Sequence, residues 1–253
     1  MTTVDAAKRW GANISYYEER VDLACAFRWT ARLNMHEGVA NHFSLVVSDD
    51  GPHFLMNPNG RHFTRIKASD LLLLDAGDPD TMTRPGAPDP TAWDLHGTIH
   101  RNVPNARCIL HAHPRNATVL ASLVDSSLPP IDQNTMRFFE RVAVDEGFDG
   151  MGLGDEAERV CAVIGDRPVL VMGNHGVMIF AETVAKAFDE FYYFERACET
   201  YVAALATGRP LRIASDDVAR KTARQWAEYP NIAENHFAAL KAILDEEEPD
   251  YRD

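Results

Sequence analysis

Arg107-Cys-Ile-Leu-His-Ala-His113 is a short apolar run that stops at Pro114. A run of that length and punctuation reads as a strand, and residues 116–123 read as the helix that follows it. Side chains alternate along a strand with a period of two, so His111 and His113 point to one face, where they can share a single metal ion. The strand ends there, beside a loop, which is where a sheet presents side chains to a pocket. His175 lies in Gly173-Asn-His-Gly176, between apolar runs at 168–172 and 177–180 that read as two further strands. Its flanking glycines let the backbone pass close to whatever the imidazole holds. Three neutral imidazoles with an open position are a set that binds Zn²⁺ or a similar divalent cation. On spacing alone, two histidines satisfied in a polar crevice explain the pair equally well.

Tyr16 to Met35 is free of Gly and Pro and predicts one helix closed by Gly38. Two apolar runs at 43–48 and 53–56 flank Asp49-Asp50-Gly51 and predict a hairpin. Asp70-Leu-Leu-Leu-Leu-Asp75 predicts a buried strand, residues 78–90 a loop, and Trp93 to Asn102 a helix. A helix is also expected from Gly152 to Val163. From Glu182 to Leu205, Val184, Ala187, Phe188, Phe191, Cys198, Tyr201, Val202 and Leu205 recur at helical spacing up to Gly208. Helices over 216–228 and 232–244 complete the reading. With no internal repeat or linker, one α/β domain over residues 1–253 is expected.

The 253 residues carry 25 Lys plus Arg against 38 Asp plus Glu, a formal charge of −13. That balance argues against nucleic acid or anionic lipid as partner, and leaves small molecules and proteins. No run approaches a membrane span and the start resembles no secretory signal, so a cytoplasmic location is expected. Cys25, Cys108, Cys161 and Cys198 are scattered through apolar stretches and are expected to be buried, reduced thiols.

Rival motifs are weaker. His96-Gly-Thr-Ile-His100 has the i, i+4 spacing of zinc peptidases, but Gly97 stands where that motif needs a general-base Glu. Gly150-Met-Gly-Leu-Gly154 fails as a dinucleotide fingerprint because Asp155 occupies the third glycine position, and reads as a turn before an Asp helix cap. No nucleophile elbow or Walker loop is present.

Asn105-Ala-Arg-Cys-Ile-Leu-His-Ala-His113 with Ala117 and Leu120, and Val169-Leu-Val-Met-Gly-Asn-His-Gly-Val-Met178 with Ala187-Phe188, together resemble the class II aldolase and adducin family. Glu37-Gly-Val-Ala-Asn-His-Phe-Ser44 and Asn57-Pro-Asn-Gly60 fall where that family has its Gly-Asn-x-Ser and Thr-Pro-x-Gly loops, and the likeness runs over residues 20–205. The resemblance implies a three-layer αβα sandwich around a largely antiparallel sheet, usually a homotetramer with its site at a subunit boundary. It implies His111, His113 and His175 as metal ligands, with Zn²⁺ first and Mn²⁺ or another transition metal as alternatives. It also implies substrate contacts from Asn41, Asn59, Gly60 and Thr91.

Two departures matter. Ala92 stands where the sugar-phosphate aldolases carry an acid/base Glu, and a methyl group transfers no proton. Pro90 and Thr91 replace a phosphate-binding serine pair, which suggests a substrate without phosphate. Retro-aldol cleavage needs a base to take a hydroxyl proton, whereas decarboxylation releases CO₂ and leaves the same kind of carbanion, a metal-stabilised enolate, without that step. The expectation is therefore a metal-dependent carbon–carbon lyase on a small carboxylated substrate, favoured as a decarboxylase of a hydroxylated acid, aromatic ones included. An aldolase using a base other than Glu and a non-catalytic adducin-like interaction module are the alternatives. Arg61 and Arg65, beside the 57–60 loop, are candidates to fork onto a substrate carboxylate, against their ordinary reading as solvent-facing charges. Tyr229, His236 and Tyr251 lie in the region from which some family members send a Tyr into a neighbour's site, with packing as their default role.

Overall fold

The computed structural model describes residues 15–48, 53–147, 150 and 155–253. Its centre is a seven-stranded sheet built from β1 (His42–Val46), β2 (His53–Met56), β3 (Leu72–Asp75), β4 (Cys108–Ala112), β5 (Val142–Asp145), β6 (Val169–Met172) and β7 (Gly176–Ala181). The spatial order is β3-β2-β1-β4-β7-β6-β5, and every neighbouring pair is antiparallel except β5 with β6. The expected largely antiparallel sheet is what forms.

Alternation sorts the strands onto two helical layers. Phe43 and Leu45 of β1, Cys108, Leu110 and Ala112 of β4, and Val177 and Ile179 of β7 face one core. That core is closed by α1 (Tyr17–Arg32), α3 (Arg115–Ala121), α6 (Val184–Ala206) and α8 (Ile232–Glu247). Ile109, Met178 and Phe180 face the other side, against α2 (Pro90–Asn102) and α5 (Glu156–Ile164). A short α4 (Gln133–Arg137) and the surface helix α7 (Asp216–Glu228) complete the eight helices among the described residues. This is a three-layer αβα arrangement.

Several expectations change in detail. The first helix stops at Arg32 because Asn34 takes the left-handed conformation (φ 54°) and Met35 N–H closes on Thr30 O, so the stop precedes Gly38. The β1–β2 hairpin pairs as expected, with Val46 opposite Phe54, while its Asp-Asp-Gly turn lies outside the described residues. β3 is a sheet edge with Leu73 42% exposed, not a buried strand, because its apolar residues only complete β2 from one side. β5 and α4 are additions to the sequence reading; β5 is only four residues long, with too little alternation to announce itself. Most of the 150–154 glycine segment also lies outside the described residues, and Asp155 does sit at the cap position of α5.

Candidate metal centre

His111 is the fourth residue of β4, His113 follows the strand by one, and His175 sits in the β6–β7 turn. The β4–β7 pairing brings that turn beside the strand end, with Ala112 opposite Val177. Asn174 adopts φ 57°, and a Cβ at Gly176 would overlap both the His113 ring and the Ala112 carbonyl oxygen. The glycine is thus required by the imidazole's own approach. The three rings form a nearly equilateral triangle with centroid separations of 5.1, 4.9 and 4.9 Å. One ligating nitrogen from each lies within 4.8 Å of the others.

Hydrogen bonding fixes which nitrogens are free. His111 Nδ1 is 3.1 Å from Val177 O, an acceptor only, so Nδ1 carries the proton and Nε2 is a bare lone pair. His113 Nδ1 donates to the Glu37 carboxylate at 2.5 Å, which leaves its Nε2 bare as well. These two lone pairs face each other at 3.3 Å. A tetrahedral Zn²⁺ site with bonds of about 2.0–2.1 Å has ligand–ligand edges of about 3.3–3.4 Å, so the separation fits a shared cation where two neutral acceptors would otherwise repel. Burial, reinforced by the neighbouring imidazoles, pushes His111 well below the ordinary histidine range, and burial lowers His175 to about 4. Neutral rings are the form that ligates a metal.

Behind the triad lies a second row of imidazoles. His42 pairs with His111 across β1 and β4, so the two share a face, with ring centroids 4.7 Å apart. α2 covers that face and places His96 and His100 one turn apart above it. His42 Nδ1 is 2.7 Å from His96 Nε2; Ser44 Oγ is 2.5 Å from His96 Nδ1 and 2.7 Å from His100 Nε2; His100 Nδ1 is 2.9 Å from Ala106 O. Burial lowers His42 to about 3 and His100 to about 4, and takes His96 well below its ordinary range. The i, i+4 pair on α2 is therefore part of a buried hydrogen-bond chain. The alternation of His42 and Ser44 with Phe43 and Leu45 was visible in the sequence; the strand opposite them was not.

The remaining sequence candidates scatter. Buried Asn41 accepts the Glu37 N–H through Oδ1 at 2.7 Å, and so shapes the loop that brings Glu37 to His113. Thr91 donates its hydroxyl to Asp89 Oδ1 within the cap of α2. Asn59 and Gly60 form an exposed turn, with Gly60 at φ 72°. Arg61 pairs with Asp70 at 3.1 Å, and Arg65 is exposed. Ala92 is 1% exposed and packs with Phe54, Met56 and Ala76. Tyr251 is buried and donates to Asp245, His236 donates to Asp189, and Tyr229 is exposed. Cys25, Cys108 and Cys198 are buried thiols and Cys161 is half-buried, with no disulfide among them.

Residues 21–202 match the family described as Class II Aldolase and Adducin N-terminal domain. The chain belongs to the class II aldolase and adducin family. It is 28% identical over 239 residues to the decarboxylase NovR of Streptomyces niveus, covering 89% of this chain and 87% of that one. A crystal structure of an aldolase II superfamily protein from Pseudomonas syringae superposes with a TM-score of 0.86 at 30% identity, over 98% of this chain and 100% of the other. The L-fuculose 1-phosphate aldolase of Glaciozyma antarctica shares the fold, with a TM-score of 0.77 at 22% identity and 96% of each chain covered. This family and its named enzymes bear out the expectation of a lyase. No helix among the described residues is long and apolar enough to cross a membrane.

Proposed function

We propose that this class II aldolase relative is a metal-dependent carbon–carbon lyase acting on a small, non-phosphorylated carboxylated substrate, and that its reaction is decarboxylation of a hydroxylated acid, aromatic acids included. The observation that carries this reading is a complete three-imidazole set beside a helix that presents the Ala92 methyl at the acid/base position, with its own Asp94 exposed and Asp89 engaged in capping it. His111, His113 and His175 would hold one divalent ion, Zn²⁺ by the nitrogen-only donors and the tetrahedral edge. When bound, the ion supplies Lewis-acid stabilisation of the negative charge that develops as the carbon–carbon bond breaks. Glu37 fixes the His113 tautomer from behind and raises its basicity as a ligand. Ala92 lies in an apolar cluster, where the acid/base group of a sugar-phosphate aldolase is replaced by a methyl. Thr91 has its hydroxyl engaged at the helix cap, which weakens the case for a phosphate cradle. Asn41 keeps a buried Nδ2 without a hydrogen-bond partner among the described residues, a donor available to a bound carboxylate. Asn59, Gly60 and Arg61 form the proposed rim.

We place the enzyme in the cytoplasm as a homotetramer, with Tyr229, exposed on the surface, as the residue able to reach a neighbouring subunit. The deciding assay incubates the metal-loaded protein with hydroxylated aromatic acids and small hydroxy and keto acids and follows CO₂, alongside sugar phosphates and aldol cleavage. CO₂ release from an acid is the expected outcome. Robust sugar-phosphate cleavage would overturn the decarboxylase reading in favour of an aldolase with a different base.

A further inference from the structure

The hydrogen-bond chain behind the triad has a direction. It is anchored at Ala106 O, which only accepts, so His100 Nδ1 carries the proton and His100 Nε2 must accept. Ser44 therefore donates its one hydroxyl proton to His100, and accepts from His96 Nδ1–H. His96 Nε2 is then an acceptor and takes the proton of His42 Nδ1–H. Four groups are set by one carbonyl, and the last of them, His42 Nε2, is left as a bare lone pair. It is the ring corner away from His96, and no hydrogen bond engages it among the described residues. The ring that carries it lies 4.7 Å from that of His111.

We infer that His42 Nε2 is a fixed hydrogen-bond acceptor for a hydroxyl of the substrate, with His96, Ser44 and His100 as the positioning residues that hold its tautomer. The inference rests on the lyase reading, which makes the surroundings of the His111 ring, 4.7 Å from that of His42, the substrate site. The chemistry is selective. A bare lone pair attracts an O–H donor and disfavours an ionised carboxylate, which is itself only an acceptor. The substrate must therefore present its carboxylate elsewhere and a protonated hydroxyl here, which a 2-hydroxy aromatic acid does with adjacent groups. An analogue without the donor leaves a desolvated nitrogen unpaired, and such mismatches are discriminated against strongly. The same role would be unavailable to a freely rotating imidazole, which can meet an acceptor by presenting N–H. Ser44 is the vulnerable link because its single hydroxyl joins two rings.

Two measurements test this. The first is the two-bond ¹H–¹⁵N spectrum of the metal-free, ¹⁵N-histidine-labelled chain at pH 8. His42, His96 and His100 are expected as Nδ1–H tautomers, and Ser44→Ala is expected to mix the tautomers of His96 and His42 while leaving that of His100 in place. An Nε2-protonated His42 in the unaltered chain, or a Ser44→Ala spectrum identical to it, would overturn the inference. The second titrates 2-hydroxybenzoate, 2-methoxybenzoate and benzoate into the Zn²⁺-loaded protein by calorimetry. The hydroxylated acid should bind at least ~10-fold more tightly than either analogue, about 1.4 kcal/mol, and the preference should fall below ~3-fold in Ser44→Ala and His42→Phe at unchanged zinc content. Equal affinities in the unaltered protein, absence of binding by all three, or a preference that survives both substitutions would overturn it. Failure to bind zinc, by contrast, would strike the lyase reading and leave the tautomer result standing.

Discussion

Two faces of the same pair of strands carry opposite chemistry. On one, Phe43, Leu45, Cys108 and Leu110 interdigitate with α1 and α6, and Phe43 stacks on Phe27 with ring centroids 4.7 Å apart. On the other, His42, Ser44 and His111 are buried just as completely but are held by hydrogen bonds, His42 and Ser44 to α2 and His111 to β7. Apolar contact needs no direction, so the first face stabilises the fold through area and packing density alone. Buried imidazoles must each find a partner and stay uncharged, so the second face specifies positions and tautomers at the expense of stability. If this contrast is right, substitutions on the two faces should separate stability from metal binding.

The sharpest break is the His111→Ala, His113→Ala double variant. It removes two of the three proposed ligands, and elemental analysis of protein purified without chelator should fall from one divalent ion per chain to none, with loss of lyase activity. A full complement of metal in this variant would sink the assignment of the site. Phe43→Ala, on the opposite face, should cost ~3–5 kcal/mol in denaturant unfolding through the cavity it leaves, while the folded fraction still binds one ion. Metal loss at equal folded fraction would show that the two faces are not separable.

Ala92→Glu probes the border between the two regimes. A Glu there must enter the cluster of Phe54, Met56 and Ala76, and the expected outcome is ~1–3 kcal/mol of destabilisation without any gain in aldol cleavage of sugar phosphates. A gain in that cleavage would mean the side chain reaches the substrate and the aldolase reading is correct. Glu37→Ala removes the carboxylate behind His113, and metal affinity should drop ~10–100-fold with little change in thermal stability, since Glu37 is largely exposed.

The contrast also explains what could be read from the sequence. His111 and His113 were legible because period two is a local rule, and His175 because its glycines mark a turn of restricted shape. The apolar face was legible in Phe188, Phe191 and Cys198, whose helical spacing needs no knowledge of their partners. The second row was not, because His42 and His96 are 54 residues apart in sequence and meet only once β1 has chosen β4 as its neighbour and α2 has crossed their shared face. Taken alone, His96 and His100 offered a metal motif lacking its glutamate. Glu37 was missed for a similar reason: an exposed acid on a loop has no pattern until its hydrogen-bond partner is known.

The smallest expected effect separates buried neutral histidines from ordinary acid denaturation. Burial lowers His100 from 6.5 to about 4, so in the metal-free protein the unfolded chain binds a proton there before the folded one does. Stability from this group is fully present above pH 6.5 and is lost as pH falls toward about 4, because in that window the unfolded state takes up more protons. One such imidazole contributes at most about 1.4 kcal/mol per pH unit. The interval from pH 6.5 to 5 is the informative one, since aspartates and glutamates of ordinary pKa near 4 remain ionised through most of it. The metal-free protein should lose stability progressively across that interval, and His100→Gln should flatten the slope even if it lowers stability at pH 7.5. A slope unchanged by that substitution would mean that His100 is not held neutral by its burial, and the contrast between a purely apolar face and a polar face kept uncharged would fail at its most distant member from the triad.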